Sequence, residues 1–222
     1  RILSVVNVVG SSVARESQDV FYTWAGPEIA VASTKAYTTQ LTCMYLLGLY
    51  MGRTLGRISK EECDQFLEEL REVSGKLAEY LSDVREVEAL AKMLYNRDQV
   101  FFIGRGLDAD IAYEGSLKLK EISYINSFAI AAGELKHGTI ALMEPGTLVL
   151  CLATQDFLYE KMLSNIQEIK ARGAHVLTIA KKGKTEVEAQ SNEVIYIPAC
   201  RDEIMPLLSV VPLQLFAYYV AR

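Results

Sequence analysis

The sequence predicts an α/β protein of tandem units, each a mostly parallel sheet covered by helices on both faces, with the first unit truncated at its front. Three observations predict it. Apolar strand-like runs alternate with helical segments, the order that parallel sheets require. Residues 1–45 align with 175–219 at a constant offset of 174, without a gap. Between the two copies lies a charged helical stretch suited to a connector.

Taken in order, RILSVVNVV opens the chain and places a strand over 3–9, followed by a polar loop and a second strand over 20–24. The uncharged run AYTTQLTCMYLLGLYMG (36–52) falls short of the ~20 residues a bilayer needs and carries Thr38, Thr39, Gln40 and Thr42. It is expected to be a buried core helix, and no membrane segment is expected. Ser59 and Glu62 have the spacing of a capping box, and Phe66, Leu70, Val73, Leu77 and Leu81 recur at helical intervals behind them. A second start at Asp83 and Glu86 leads a helix to about Asn96.

QVFFIG (99–104) reads as a buried strand that turns through Gly104 and Gly106 into a helix of roughly four turns. GTLVLCLA is the next strand, a helix covers about 156–172, and strands at 175–180 and 193–197 lead into a closing uncharged helix at 203–222. Folds of this kind take ligands beyond the carboxyl ends of their strands.

The internal alignment has nine identities: Leu3/Leu177, Val13/Val187, Ser17/Ser191, Val20/Val194, Tyr22/Tyr196, Ala25/Ala199, Gln40/Gln214, Leu41/Leu215 and Tyr45/Tyr219. Asp19/Glu193 and Glu28/Asp202 are close in kind, and the order of elements agrees. Residues 100–174 have no counterpart before residue 1, and the last helix stops at the equivalent of Gly48. The expectation is a piece of a longer chain, organised as the back part of a first domain (1–57), a helical connector (58–97) and a second domain (98–222) that ends within its last helix.

Half of the residues are apolar, enough for one large core or two small ones. A net charge of −5 provides no basic field, so no nucleic-acid partner is expected. The four cysteines, at 43, 63, 151 and 200, have no CxxC spacing and fit a reducing cytoplasm. Two histidines with a single neighbouring carboxylate, Glu134 beside His137, are too few for a zinc site, and neither a metal nor a cofactor is expected.

Four places carry candidate chemistry. The GRG turn at 104–106 reads either as an anion-binding loop, though it lacks GxGxxG and GK[ST], or as a tight turn in which Gly106 relieves a backbone clash. Glu114, Lys118 and Glu121 share one helix face at i, i+4 and i+7, as a solvated ion-pair ladder or as a partly buried set with raised carboxylate pKa values. His137 stands in a loop flanked by Gly133 and Gly138, either on the surface or presented to a cleft, while His175 begins a strand and is structural. In GPEIAVASTKAYTTQL (26–41), Ser33 or Thr34 is a helix N-cap, or the same main chain faces a ligand.

Three stretches together, EIAVASTKAYTTQL, EGSLKLKEISY and AGELKHG, resemble the isomerase half of the glucosamine-6-phosphate synthase family, the glutamine:fructose-6-phosphate amidotransferases. The resemblance runs along nearly the whole chain and implies tandem sugar isomerase (SIS) domains, in agreement with the repeat. It implies an aminotransferase of the cytoplasm that makes glucosamine 6-phosphate from fructose 6-phosphate and glutamine-derived ammonia, for hexosamine and UDP-N-acetylglucosamine biosynthesis. By the same resemblance Glu121 moves the proton between sugar carbons 1 and 2 and Lys118 assists it. His137 assists ring opening from the neighbouring subunit of a homodimer. Val31 and Ala32 offer main-chain contacts to the sugar, with Ser33 and Thr34 close by and Lys35 and Glu114 in support.

The family's glutaminase domain, its Ser/Thr-rich phosphate-binding stretch and its Schiff-base lysine have no counterpart in these 222 residues, and the expectation is a segment inactive by itself. Two other readings share the fold. A related sugar-phosphate deaminase or deglycase would keep the glutamate, and a sugar-phosphate-binding regulatory module would need neither Glu121 nor His137.

Overall fold

Two short apolar runs near the start pair as parallel strands, β1 (Leu3–Val6) and β2 (Asp19–Tyr22), joined through the five-residue helix α1 (Ser12–Glu16). Ser11 caps α1, its hydroxyl accepting the Ala14 N–H at 3.3 Å. Helix α2 (Lys35–Thr54) follows. The computed structural model describes residues 1–222, and they fall into two units, Arg1–Arg71 and Glu72–Arg222.

Contrary to the expectation of a buried core helix, Cys43 is the one buried residue of α2, and Met44, Leu46, Tyr50 and Met51 are exposed. High hydropathy makes a helix costly to leave in water but supplies no surface to cover it, and the two-stranded sheet of this unit is too small to do so. Helix α3 (Lys60–Leu81) starts with the expected capping box: Glu62 accepts the Ser59 N–H at 2.7 Å, and the Ser59 hydroxyl accepts the Glu62 N–H at 3.0 Å.

The second unit begins within α3 and continues with α4 (Arg85–Leu94), which buries Val87, Leu90, Ala91 and Leu94. It then holds strands β3 (Gln99–Gly104), β4 (Asn126–Ala131), β5 (Leu148–Ala153), β6 (His175–Lys181) and β7 (Glu193–Ile197). They form one parallel sheet in the order β4-β3-β5-β6-β7. β5 is buried along its whole length, as expected of a central strand with both faces covered. The helices α5 (Leu107–Ser123), α6 (Tyr159–Lys170) and α7 (Met205–Ala221) connect and close it. On one face Phe101, Ile103, Val149, Cys151 and Val176 pack with Met162, Ile166 and Ile169 of α6. On the other, α5 lies against β3, β4 and α7, and α7 also packs on α4.

Strand β4 is absent from the sequence expectation. It lies at the sheet edge with Asn126 and Phe128 exposed, so it lacks the continuous apolar run that marks β3 and β5.

The internal repeat extends to strand register. Leu3 pairs with Asp19 and Leu177 with Glu193, so both parallel pairs obey the 174-residue offset. A hydroxyl pair repeats with them, Ser4 with Ser17 and Thr178 with Ser191, each at 2.6 Å. The aligned residues therefore do the same work in each unit: they fix which residue of one strand meets which of the next.

Candidate active site

Helix α5 leaves β3 through Gly104 and Gly106 and runs back along the sheet. A side-chain carbon at Gly104 would fall 2.3 Å from the Asp108 carbonyl oxygen, so only glycine permits this turn. Gly106, at φ +56°, faces a different obstacle: an added carbon there would meet Leu158 Cδ1 at 2.7 Å. The backbone clash expected at Gly106 therefore belongs to Gly104. Deeper in the helix Gly115 lets α7 approach, since an added carbon would lie 2.6 Å from Leu213 Cδ1.

This close packing buries one side of α5 and takes Lys118 with it. Only 4 % of the Lys118 side chain is exposed, against 14 % for Glu114 and 28 % for Glu121. Its ammonium donates to Glu121 Oε2 at 2.8 Å and lies 3.5 Å from Glu114 Oε1. Of the two readings of this helix face, the buried set is the one found. A lysine this buried needs a counter-charge, and two carboxylates at i−4 and i+3 supply it. Burial raises the Glu114 carboxyl above its usual range, Lys118 opposes the rise, and Glu121 adds to it. Two carboxylates against one ammonium leave the cluster one negative charge in excess when all three are ionised, with Glu121 as the member most open to solvent.

His137 closes a six-residue 3₁₀ turn, Ala132–His137, after β4, where a loop was expected. Leu135 of that turn is fully buried and anchors it, while Lys136 reaches Glu168 of α6 at 2.8 Å. The imidazole is 75 % exposed, its Nε2 4.0 Å from Glu134 Oε2, and it forms no hydrogen bond with Glu114, Lys118 or Glu121. His175 starts β6 as expected; burial and the Arg97 charge hold its pKa below the usual histidine value.

The remaining predicted residues belong to the first unit. Val31 is 89 % exposed in the segment leading into α2, with Ala32, Ser33 and Thr34 beside it. Thr34 occupies the N-cap position without a side-chain cap bond; Glu28 caps instead, accepting the Thr34 N–H at 3.1 Å. Desolvation is the largest single influence on Glu28 and raises its pKa, but hydrogen bonds from Thr34, Ser33 and Ala36 with the Lys35 charge together outweigh it and hold the carboxyl below its usual range. Lys35 Nζ donates to the Pro27 carbonyl at 2.6 Å. Glu28, Pro27, Trp24 and Asn7 border a cavity of about 560 Å³ in this unit.

Two further polar clusters lie at the carboxyl ends of the second unit's strands. Asp108, 2 % exposed, accepts the Thr154 N–H at 2.7 Å and the Thr154 hydroxyl at 2.5 Å. Lys181, almost wholly buried, donates to Asp156 at 2.8 Å and Asp202 at 2.5 Å. Spacing hides both clusters, because their partners are 46, 25 and 21 residues apart. A signal for Asp202 existed in the alignment of Glu28 with Asp202: each acts just after its unit's last strand, one on a helix N-terminus and the other on a lysine.

Residues 93–221 match the model of the SIS domain family. The chain is 56 % identical over all 222 residues to a glutamine–fructose-6-phosphate aminotransferase (isomerizing) of Caldanaerobacter subterraneus, and it spans 36 % of that protein's length. It superposes with a TM-score of 0.93 on the C-terminal domain of glucosamine-fructose-6-phosphate aminotransferase from Francisella tularensis, at 36 % identity, covering 99 % of this chain and 62 % of that one. A glucosamine-6-phosphate deaminase from Thermotoga maritima shares the fold, with a TM-score of 0.69 at 22 % identity, covering 99 % and 60 %.

Proposed function

The chain belongs to the SIS domain family, and on that premise we propose that it is part of the isomerase half of a glucosamine-6-phosphate synthase. The observation that carries the chemistry is the Lys118 ammonium buried between Glu114 and Glu121, with Glu121 on the solvent side. In this reading the carboxylate of Glu121 takes a proton from one of carbons 1 and 2 of the bound sugar phosphate and returns it to the other, turning the ketose imine into the aldose amine. Lys118 keeps Glu121 oriented and compensates its charge, and Glu114 holds Lys118 from the other side.

His137 serves ring opening in a partner subunit of a homodimer. Its exposure and its lack of a bond to the α5 carboxylates support that assignment. Val31 and Ala32 present main chain to the sugar, aided by Ser33, Thr34 and Lys35. The shared register and hydroxyl pair support reading the first unit as the back of one SIS domain and the second as another, joined through helices α3 and α4. The family's ammonia comes from a glutaminase domain that has no counterpart in these residues, so the synthase reaction is assigned to the full-length protein. No helix is long and apolar enough to cross a membrane, and four free cysteines fit a cytoplasmic protein.

The test uses the full-length protein carrying this segment, fed fructose 6-phosphate and glutamine. Glutamine-dependent formation of glucosamine 6-phosphate is the expected result. Release of ammonia from glucosamine 6-phosphate, with no synthesis from glutamine, would replace the synthase reading with a deaminase.

A further inference from the structure

Asp108 takes no part in the chemistry proposed for α5, yet it is among the most deeply buried charged groups of the chain. It stands in the first turn of α5, and Thr154 and Gln155, which it engages, follow β5 directly. β3 and β5 are neighbours in the sheet. Because β4 and β6 flank that pair on opposite sides, right-handed crossovers send α5 and α6 to opposite faces. The gap between two such strand ends is where open parallel sheets take their ligands.

The groups lining this gap are those an oxyanion needs. Thr154 offers its main-chain N–H and its hydroxyl, Gln155 a further N–H, and α5 the positive end of a 17-residue helix. The gap is already filled. Each Asp108 carboxylate oxygen takes one of the two Thr154 donors, Gly104 is pressed against the Asp108 main chain, and Leu158 packs on Gly106. Along the same edge Lys181 is held by Asp156 and Asp202, Lys184 holds Asp156 at 3.0 Å, and the Gln155 amide donates to the Asp202 carbonyl at 3.1 Å.

We propose that the carboxyl end of the second sheet is an oxyanion cradle closed by its own Asp108, whose carboxylate stands where a small oxyanion would bind. The crevice takes no external ligand while that carboxylate is present, and removing it exposes the Thr154 and Gln155 donors to a carboxylate or phosphate from solution. The inference rests on the groups around Asp108 at the ends of β3 and β5 and stands whether or not the synthase reading does.

The experiment compares wild type, Asp108→Ala and Asp108→Asn in the full chain at pH 7.5, following thermal unfolding against sodium formate, inorganic phosphate and sodium chloride at matched ionic strength. Formate, which replaces the deleted group, should raise the Tm of Asp108→Ala saturably by about 3 °C or more beyond its effect on wild type. Asp108→Asn, whose amide still fills the crevice, should respond like wild type. Equal formate responses in all three proteins overturn the proposal, as does a response in the Asn variant matching that of the Ala variant. A gain with phosphate as well extends the cradle to larger oxyanions, whereas a phosphate gain without a formate gain contradicts the carboxylate-sized cavity. If Asp108→Ala is recovered only as aggregate, refolding yield in formate against chloride is the readout: a higher yield in formate supports the cradle and equal yields overturn it.

Discussion

The ammonium of Lys118 lies 2.8 Å from Glu121 and 3.5 Å from Glu114, with only 4 % of the lysine side chain in contact with solvent. Neither carboxylate is equally buried, so the lysine depends on the glutamates more than they depend on it. Replacing Lys118 with Met keeps the volume, removes the charge that opposes the rise of Glu114 and leaves Glu121 without its ion-pair partner. The expected outcome in the full-length protein is a fall in isomerisation of about 10²-fold. Isomerisation at the wild-type rate would show that Lys118 has no part in this site.

His137 makes the opposite prediction for stability. Its ring is 75 % exposed and the Glu134 carboxylate is 4.0 Å away, so His137→Ala should leave Tm within about 2 °C of wild type. Activity should nevertheless fall. When full-length His137→Ala and Glu121→Gln proteins are mixed and their subunits exchange, part of the activity should return. No recovery despite demonstrated exchange would place His137 in the service of its own chain.

Gly115 ties this site to the packing of the second unit. An alanine methyl would lie 2.6 Å from Leu213 Cδ1 and 3.2 Å from its Cβ and Cγ, so Gly115→Ala should destabilise the fold by about 1–3 kcal/mol despite the better helix propensity of alanine. Chemical denaturation measures it, and the cost should shrink in a Leu213→Val background. Equal costs in both backgrounds would mean that the contact is not the cause.

Asp108 gives the stability a pH dependence of defined sign. Burial pushes its carboxyl up to about 6, hydrogen bonds from Thr154 and Gln155 pull it down, and the Asp202 charge adds to the rise. The folded state thus holds the proton more tightly than the unfolded chain. The resulting stabilisation is full below the ordinary carboxylate pKa and is lost as pH rises through about 6. Relative to Asp108→Asn, which does not titrate, wild type should lose roughly 1–3 kcal/mol of stability between pH 4 and pH 7.5. A difference that stays constant over that range would contradict the raised value.

What the sequence disclosed and what it hid follow from the range of the interactions involved. The Ser59–Glu62 box and the Glu114–Lys118–Glu121 face are local, set by three- and four-residue spacings, and both are present. β3 and β5 announce themselves because a central strand must be apolar on both faces. β4, at the edge with Phe128 exposed, need not be. The exposure of α2 was illegible because composition reports what a helix would bury, and the surface that would cover it is a tertiary matter. Asp108 and Lys181 were hidden for the same reason: their partners are brought to them by parallel strand order. The repeat is the exception. A periodicity in sequence carried long-range information, down to the Ser4–Ser17 and Thr178–Ser191 hydroxyl pairs.

Everything proposed for this site turns on Glu121 moving the proton between the two sugar carbons. The most direct measurement is the interconversion of fructose 6-phosphate and glucose 6-phosphate by the full-length protein without glutamine, comparing Glu121→Gln with wild type in deuterated water. Glu121→Gln keeps a hydrogen-bonding partner for Lys118 and removes the base. The expected result is a loss of at least about 10²-fold in turnover and of solvent deuterium incorporation at carbon 2, with sugar-phosphate binding retained. Turnover and deuterium incorporation at wild-type levels would contradict it.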